Sequence, residues 1–210
     1  MGQGLRYTYS LGNRTGINAI QNNASIYNVS YQYNELNQLT RLSDPTGKDF
    51  TFTYDSAGNI TEIAYPNNTV TALAYDDANR MVSVQSMTDI GETLADYTYA
   101  YDPNGRRTSM VRDGADTTNY QYDDLGQLTE VTDSRGTITY TYDPVGNRVA
   151  LTGPNSTVNY TYDAANQLLT AGDVTYTYDN NGNRLTKTDT SGLTRYSYDD
   201  LFPLNWTLQS

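Results

Sequence analysis

The chain has 210 residues, of which 37% are hydrophobic, and it carries 21 tyrosines against three phenylalanines and one tryptophan. Thirteen basic and 24 acidic residues give a formal net charge of −11, which repels polyanions and leaves no basic stripe for nucleic acid. There is no cysteine and no histidine, which removes disulfides, thiolate zinc sites, thiol nucleophiles and every triad with an imidazole base.

Met1 to Arg6 lack the apolar stretch of a signal peptide, and no run approaches the ~20 apolar residues of a membrane span, so membrane insertion is not expected. From there a core of the form Tyr-x-Tyr-Asp recurs. Its second aromatic falls at Tyr9, Tyr33, Tyr54, Tyr75, Tyr101, Tyr122, Tyr142, Tyr162, Tyr178 and Tyr198. The first position holds Tyr7, Tyr31, Phe52, Leu73, Tyr99, Tyr120, Tyr140, Tyr160, Tyr176 and Tyr196, so 18 of the 21 tyrosines sit at these two places. Residues two apart on a strand share a face, and the residue between them is small or polar each time, such as Thr53, Ala74, Gln121 and Thr177. That alternation predicts a half-buried strand.

A turn follows each core. Aspartate comes next in eight of the ten units, and three positions later the eight full-length units carry only Asn37, Gly58, Asn79, Gly105, Gly126, Gly146, Asn166 or Gly182. These residue types best tolerate positive φ, and the aspartate can accept hydrogen bonds from turn amides. The pattern predicts a type I turn closed by a left-handed residue. The return strand then reads polar-polar-apolar with a second apolar residue soon after, as around Leu39-Thr40-Arg41-Leu42. A second turn is marked by Gly47, Gly114, Gly136, Gly153, Gly172 and Gly192. About 20 residues fit two strands and two short connections. The expected fold is all-β: about ten tandem antiparallel hairpins in one array over residues 1–210, forming a curved or coiled continuous sheet. One face is tyrosine-lined and the other polar and threonine-rich. Residues 16–30, with Asn22 and Asn23, and residues 86–96 exceed the unit length and are expected as loop insertions. Phe202-Pro203 breaks the final unit, so the array is expected to end or hand over there.

Chemistry is harder to find in this pattern. A catalytic carboxylate should be singular, whereas these aspartates are periodic, so no enzyme activity and no catalytic residue is assigned. Asp179-Asn180-Asn181-Gly182-Asn183 looks like a calcium loop, but its glycine is fourth and not sixth and no terminal glutamate follows. The acid pairs Asp76-Asp77, Asp123-Asp124 and Asp199-Asp200 read as solvated turns, and no metal or cofactor is expected. Rows of tyrosines could stack against a sugar, although the same rows serve as glue between strands. Eight Asn-x-Ser/Thr sequons, at Asn13, Asn23, Asn28, Asn59, Asn67, Asn155, Asn159 and Asn205, follow from the abundance of Asn and Thr. The open edges of such a meander are templates for pairing with another copy.

Tyr140-Thr141-Tyr142-Asp143-Pro144-Val145-Gly146-Asn147-Arg148-Val149 and Tyr176-Thr177-Tyr178-Asp179-Asn180-Asn181-Gly182-Asn183-Arg184-Leu185-Thr186 resemble the Rhs/YD repeat, and the resemblance runs from Tyr7 to Leu201. Its members include bacterial Rhs toxins, wall-associated proteins, toxin-complex cocoon proteins and teneurins. The resemblance implies hairpins spiralling into a hollow shell that often encloses a toxin domain, and an extracellular or cell-surface location. The family's shell-closing segment, with its Asp-Pro-x-Gly motif and self-cleavage carboxylates, has no match in these residues, and no toxin domain is expected within them. The expected function is a structural section of a secreted shell, with neighbouring repeats as edge partners and a toxin domain or cell-surface glycan as further partners. A self-assembling extracellular filament subunit and a carbohydrate-binding surface are the alternatives.

Overall fold

The computed structural model describes residues 3–22 and 24–198. Among them are nineteen strands and no helix. The chain divides into two compact units, Met1–Thr117 and Thr118–Ser210, where the sequence suggested a single array. The first unit holds β1 (Gln3–Ser10), β2 (Asn13–Gln21), β3 (Ala24–Tyr33), β4 (Leu39–Ser43), β5 (Asp49–Tyr54), β6 (Ile60–Ala64), β7 (Thr69–Tyr75), β8 (Met81–Thr88), β9 (Thr93–Tyr101) and β10 (Arg107–Arg112). Strand β11 (Asp116–Tyr122) straddles the boundary. The second unit continues with β12 (Leu128–Asp133), β13 (Gly136–Tyr142), β14 (Arg148–Thr152), β15 (Thr157–Tyr162), β16 (Leu168–Ala171), β17 (Val174–Tyr178), β18 (Arg184–Asp189) and β19 (Gly192–Arg195).

Within each unit the strands pair antiparallel with their chain neighbours, and no described strand touches any other. Within a unit, no described strand therefore packs over either face. No hydrophobic side chain is buried among the described residues, and only Gly16 is buried at all. Each unit is a single layer held by its ladders and cross-strand pairs, each pair worth roughly 0.2–1 kcal/mol. The expected two faces are present. In β15 and β17 the half-buried residues are Val158, Tyr160 and Tyr162, and Val174, Tyr176 and Tyr178, while the asparagine or threonines between them are exposed. On the opposite face threonine hydroxyls bond across strands, as in Thr53–Thr61 at 3.0 Å and Thr161–Thr170 at 2.7 Å.

Two expectations are corrected. Residues 16–30 and 86–96 are not loops. Residues 16–21 of the first belong to β2 and 24–30 to β3, and Asn22 follows β2 with a φ of 51°. The second are the ends of β8 and β9, closed by a turn from Thr88 to Glu92. Extra β-prone residues lengthen the hairpin because each added pair extends the hydrogen-bonded ladder, as Ala19 opposite Tyr27 and Gln85 opposite Asp96 do. The return strand is also not a simple alternation. In each unit its register slips by one residue directly after the turn: Tyr54 faces Ile60 but Thr53 faces Glu62, and Tyr142 faces Arg148 but Thr141 faces Ala150. This β-bulge places residues three apart on the tyrosine face, as with Leu39 opposite Tyr33 and Leu42 opposite Tyr31. Tyr7 and Tyr9 lie on strand β1, exposed along its whole length, and are themselves 45% and 65% exposed. Asn23, Asp199-Asp200, Phe202-Pro203 and Asn205 lie outside the described residues.

Candidate functional site: the turn and tyrosine ladders

All eight predicted turn residues have positive φ, from 58° at Asn79 to 93° at Gly146. Their hairpins close in the expected way. In the Asp55 turn, Gly58 N–H donates to the Asp55 carbonyl at 3.1 Å and Asp55 N–H donates to the Asn59 carbonyl at 3.0 Å. The Asp55 carboxylate accepts the backbone N–H of Ala57 and of Asn59, both at 2.9 Å. Its second oxygen takes the Asn59 side-chain amide at 3.0 Å. Asp76, Asp102, Asp123, Asp143, Asp163 and Asp179 repeat this scheme. Asn34 does the same with its side-chain oxygen. Asp44, at the opposite end of the hairpin, builds an identical turn with Thr46 and Lys48. Every one of these acids is thus committed to folding its own loop.

Hydrogen bonds hold the carboxyls of Asp44, Asp55, Asp76 and Asp179 below the ordinary range. For Asp55 and Asp179 the leading cause is the side-chain amide of Asn59 or Asn183, and for Asp76 it is the backbone N–H of Arg80. A folded-state pKa below the unfolded value of about 3.9 gives stability that is present above that value and lost as the pH falls through the folded one. The thermal midpoint is therefore expected to be level from about pH 5 to pH 8 and to drop below about pH 4. Asp55→Asn, which reproduces the natural Asn34 turn, should shrink that acid dependence. A midpoint that falls instead between pH 5 and pH 7 would refute the assignment.

The bulge explains a second ladder, which the spacing of residue types alone did not disclose. A bulge leaves a carbonyl without its strand partner. Here the second tyrosine of the next unit donates its hydroxyl to that carbonyl: Tyr33 to Arg14, Tyr54 to Leu39, Tyr101 to Met81, Tyr142 to Leu128, Tyr162 to Arg148, Tyr178 to Leu168 and Tyr198 to Arg184, at 2.6 to 3.0 Å. Burial pushes the phenols of Tyr54, Tyr142 and Tyr178 up from their usual pKa. In these seven units the hydroxyl gives the second position a use for tyrosine that phenylalanine could not serve, while the first position also accepts Phe52 and Leu73. First-position rings serve differently. Arg148 lies 5.8 Å from the Tyr140 ring centroid and 4.5 Å from that of Tyr160. Arg184 is held in the same way between Tyr176 and Tyr196 at 5.7 and 4.4 Å. Such contacts contribute about 0.5–1 kcal/mol each at exposed sites.

Asp179 to Asn183, weighed above as a calcium loop, is one of these turns, with the Asp179 carboxylate occupied by Asn181 and Asn183. Among the described residues no three acidic side chains gather as a metal site would require.

Residues 106–202 match the teneurin YD-shell family, and residues 33–70 and 54–89 match the RHS Repeat family. No curated protein matches the sequence. Among solved structures, that of TcdB2–TccC3 without its hypervariable C-terminal region is similar at a TM-score of 0.66, with 19% identity over 92% of this chain. A Tc holotoxin pore from Photorhabdus luminescens carrying a TccC3 mutation is similar at 0.52, with 18% identity over 89% of this chain. The chain spans only 13% and 14% of those two chains, and at such identity the likeness is one of fold. With both family matches lying on tyrosine hairpins that keep one turn chemistry and one bulge, residues 33–89 and 106–202 are built of repeats of the Rhs/YD type.

Proposed function

We propose that the chain is a section of the wall of an extracellular or cell-surface YD-repeat shell, and that its role is structural and not catalytic. The observation that carries this reading is the lack of any buried hydrophobic side chain among the described residues of two units whose strands touch only their neighbours. A wall needs a layer that is self-supporting edge to edge and free on both faces, and the carbonyl, turn and arginine ladders supply that support. The aspartates that an enzyme would need are spent on turns. Enclosure of a toxin domain by the whole assembly belongs to this proposal and draws on the fold shared with the TcdB2–TccC3 chains. A sugar-stacking surface is less well supported, because arginines already cover first-position rings such as Tyr160 and Tyr196.

One observation favours a filament subunit as a second reading. Strand β1 is exposed along its whole length, and Leu5 is 61% exposed on it, a surface suited to pairing with another YD strand. Size-exclusion chromatography with negative-stain imaging separates the two. Discrete particles of fixed size are expected for a wall section, and uniform fibres that lengthen with concentration would overturn it in favour of the filament.

A further inference from the structure

The residue that follows each left-handed turn position reaches towards the next turn, and its length tracks what it meets there. Asn59 donates its side-chain amide to the side-chain oxygen of Asn79 at 2.9 Å. Asn147 does so to Asn166 at 2.9 Å, and Asn13 to Asn37 at 2.7 Å. Where the next turn carries glycine, the reaching residue is longer. The amide nitrogens of Gln38, Gln127 and Gln167 lie against Gly58, Gly146 and Gly182, 3.3, 3.2 and 3.0 Å from where a Cβ would stand. Arg80, which precedes the Gly105 turn, donates to the Asp102 carbonyl of that turn at 2.9 Å. The sequence holds one more such pair, Arg106 before Gly126, and it obeys the same rule. In these eight pairs every asparagine is followed by an asparagine turn and every glutamine or arginine by a glycine turn, while Asn183 is followed at that place in the sequence by Phe202, outside the described residues.

The physical cause is reach. An asparagine at the left-handed position extends an acceptor into the gap between turns, and a short amide meets it. A glycine leaves the gap open, so only a side chain longer by a methylene or more arrives at the backbone. We propose that this residue is a specificity determinant which selects the neighbouring hairpin by turn type: asparagine selects an asparagine turn, and glutamine or arginine selects a glycine turn. Such a device has a use in an array of near-identical units, where one hairpin could pair with the wrong neighbour. Skipping one hairpin would set Asn13 against Gly58, Gln38 against Asn79, Asn59 against Gly105, Gln127 against Asn166 and Asn147 against Gly182, each a mismatch, while Arg80 and Arg106 would still meet glycine turns. The inference concerns how hairpins choose one another and goes beyond what the assembled wall encloses.

The test is a pair of reciprocal conversions in the full chain. Asn59→Gln and Asn79→Gly are made singly and together, turning a short pair into a long one. Gln127→Asn and Gly146→Asn do the reverse. Asparagine and glycine both occupy left-handed turn positions in this chain, so each variant keeps its turn. Each single change is expected to lower the thermal midpoint by about 2–4 °C and to speed amide exchange in the two turns concerned, and each double variant should regain most of the loss. Single changes without effect, or double variants that lose the sum of the two singles, would overturn the proposal.

Discussion

Gly136→Ala should cost about 2–5 kcal/mol, from backbone strain together with a steric collision. Gly136 opens β13 opposite Asp133, across a turn made by Ser134 and Arg135. Neither turn residue has positive φ, so the right-handed turn would splay the strands, and Gly136 corrects the path with a φ of 125°. A Cβ built there lies 2.7 Å from Pro154 Cγ. The proline ring cannot swing away, because it is part of the turn that Gly153 N–H closes on the Ser156 carbonyl at 2.9 Å. The chain contains its own control. Gly192 opens β19 opposite Asp189 with a φ of 120°, and nothing stands within 4 Å of its Cβ position. Gly192→Ala should therefore show the strain alone, about 1–3 kcal/mol. Pro154→Ala in the Gly136→Ala background should return the loss to about that level. Denaturant unfolding of the three variants measures both parts; equal losses at Gly136 and Gly192 would show that the contact with Pro154 is relieved without cost.

The hairpin array was legible because its signals are local. Tyr-x-Tyr states which side chains share a face, and an aspartate three residues before glycine or asparagine states where the chain reverses. Both depend on a few consecutive residues. The bulge depends on which residue faces which across the hairpin, and residue types do not declare that directly. It left a trace all the same: Leu39 and Leu42, Ile60 and Ile63, and Leu128 and Val131 are three apart, which an unbroken strand cannot place on one face. The tyrosine-to-carbonyl bond left another, in the contrast between an invariant second position and a first position that admits Phe52 and Leu73. Residues 16–30 and 86–96 misled because length was weighed above composition. Ile26, Tyr27 and Val29 in the first and Thr88 and Thr93 in the second are strand-favouring types like those of the strands they extend. Turn-to-turn matching was out of reach for a further reason, since it links residues about 20 positions apart whose side chains meet only after the hairpins stack.

Tyr142→Phe should destabilise the second unit by about 1–2 kcal/mol, whereas Tyr140→Phe, two residues away on the same face, should stay within about 0.5 kcal/mol of the parent. The two rings differ in what their hydroxyls do. Tyr142 donates at 2.8 Å to the Leu128 carbonyl, in the bulge of the hairpin before it. Removing that donor leaves a carbonyl in a half-buried sheet with neither a strand partner nor a phenol, and the cost is the desolvation of the orphaned group and not only the lost bond. Tyr140 contributes its ring, 5.8 Å from Arg148, and phenylalanine keeps a ring there. The loss at Tyr142 also falls between two hairpins and not within one, so exchange should speed at amides of β12 and β13 together. If the two substitutions cost the same, the hydroxyl bond contributes nothing beyond packing, and the neighbouring hairpins are held by their strand ladders and turn contacts alone.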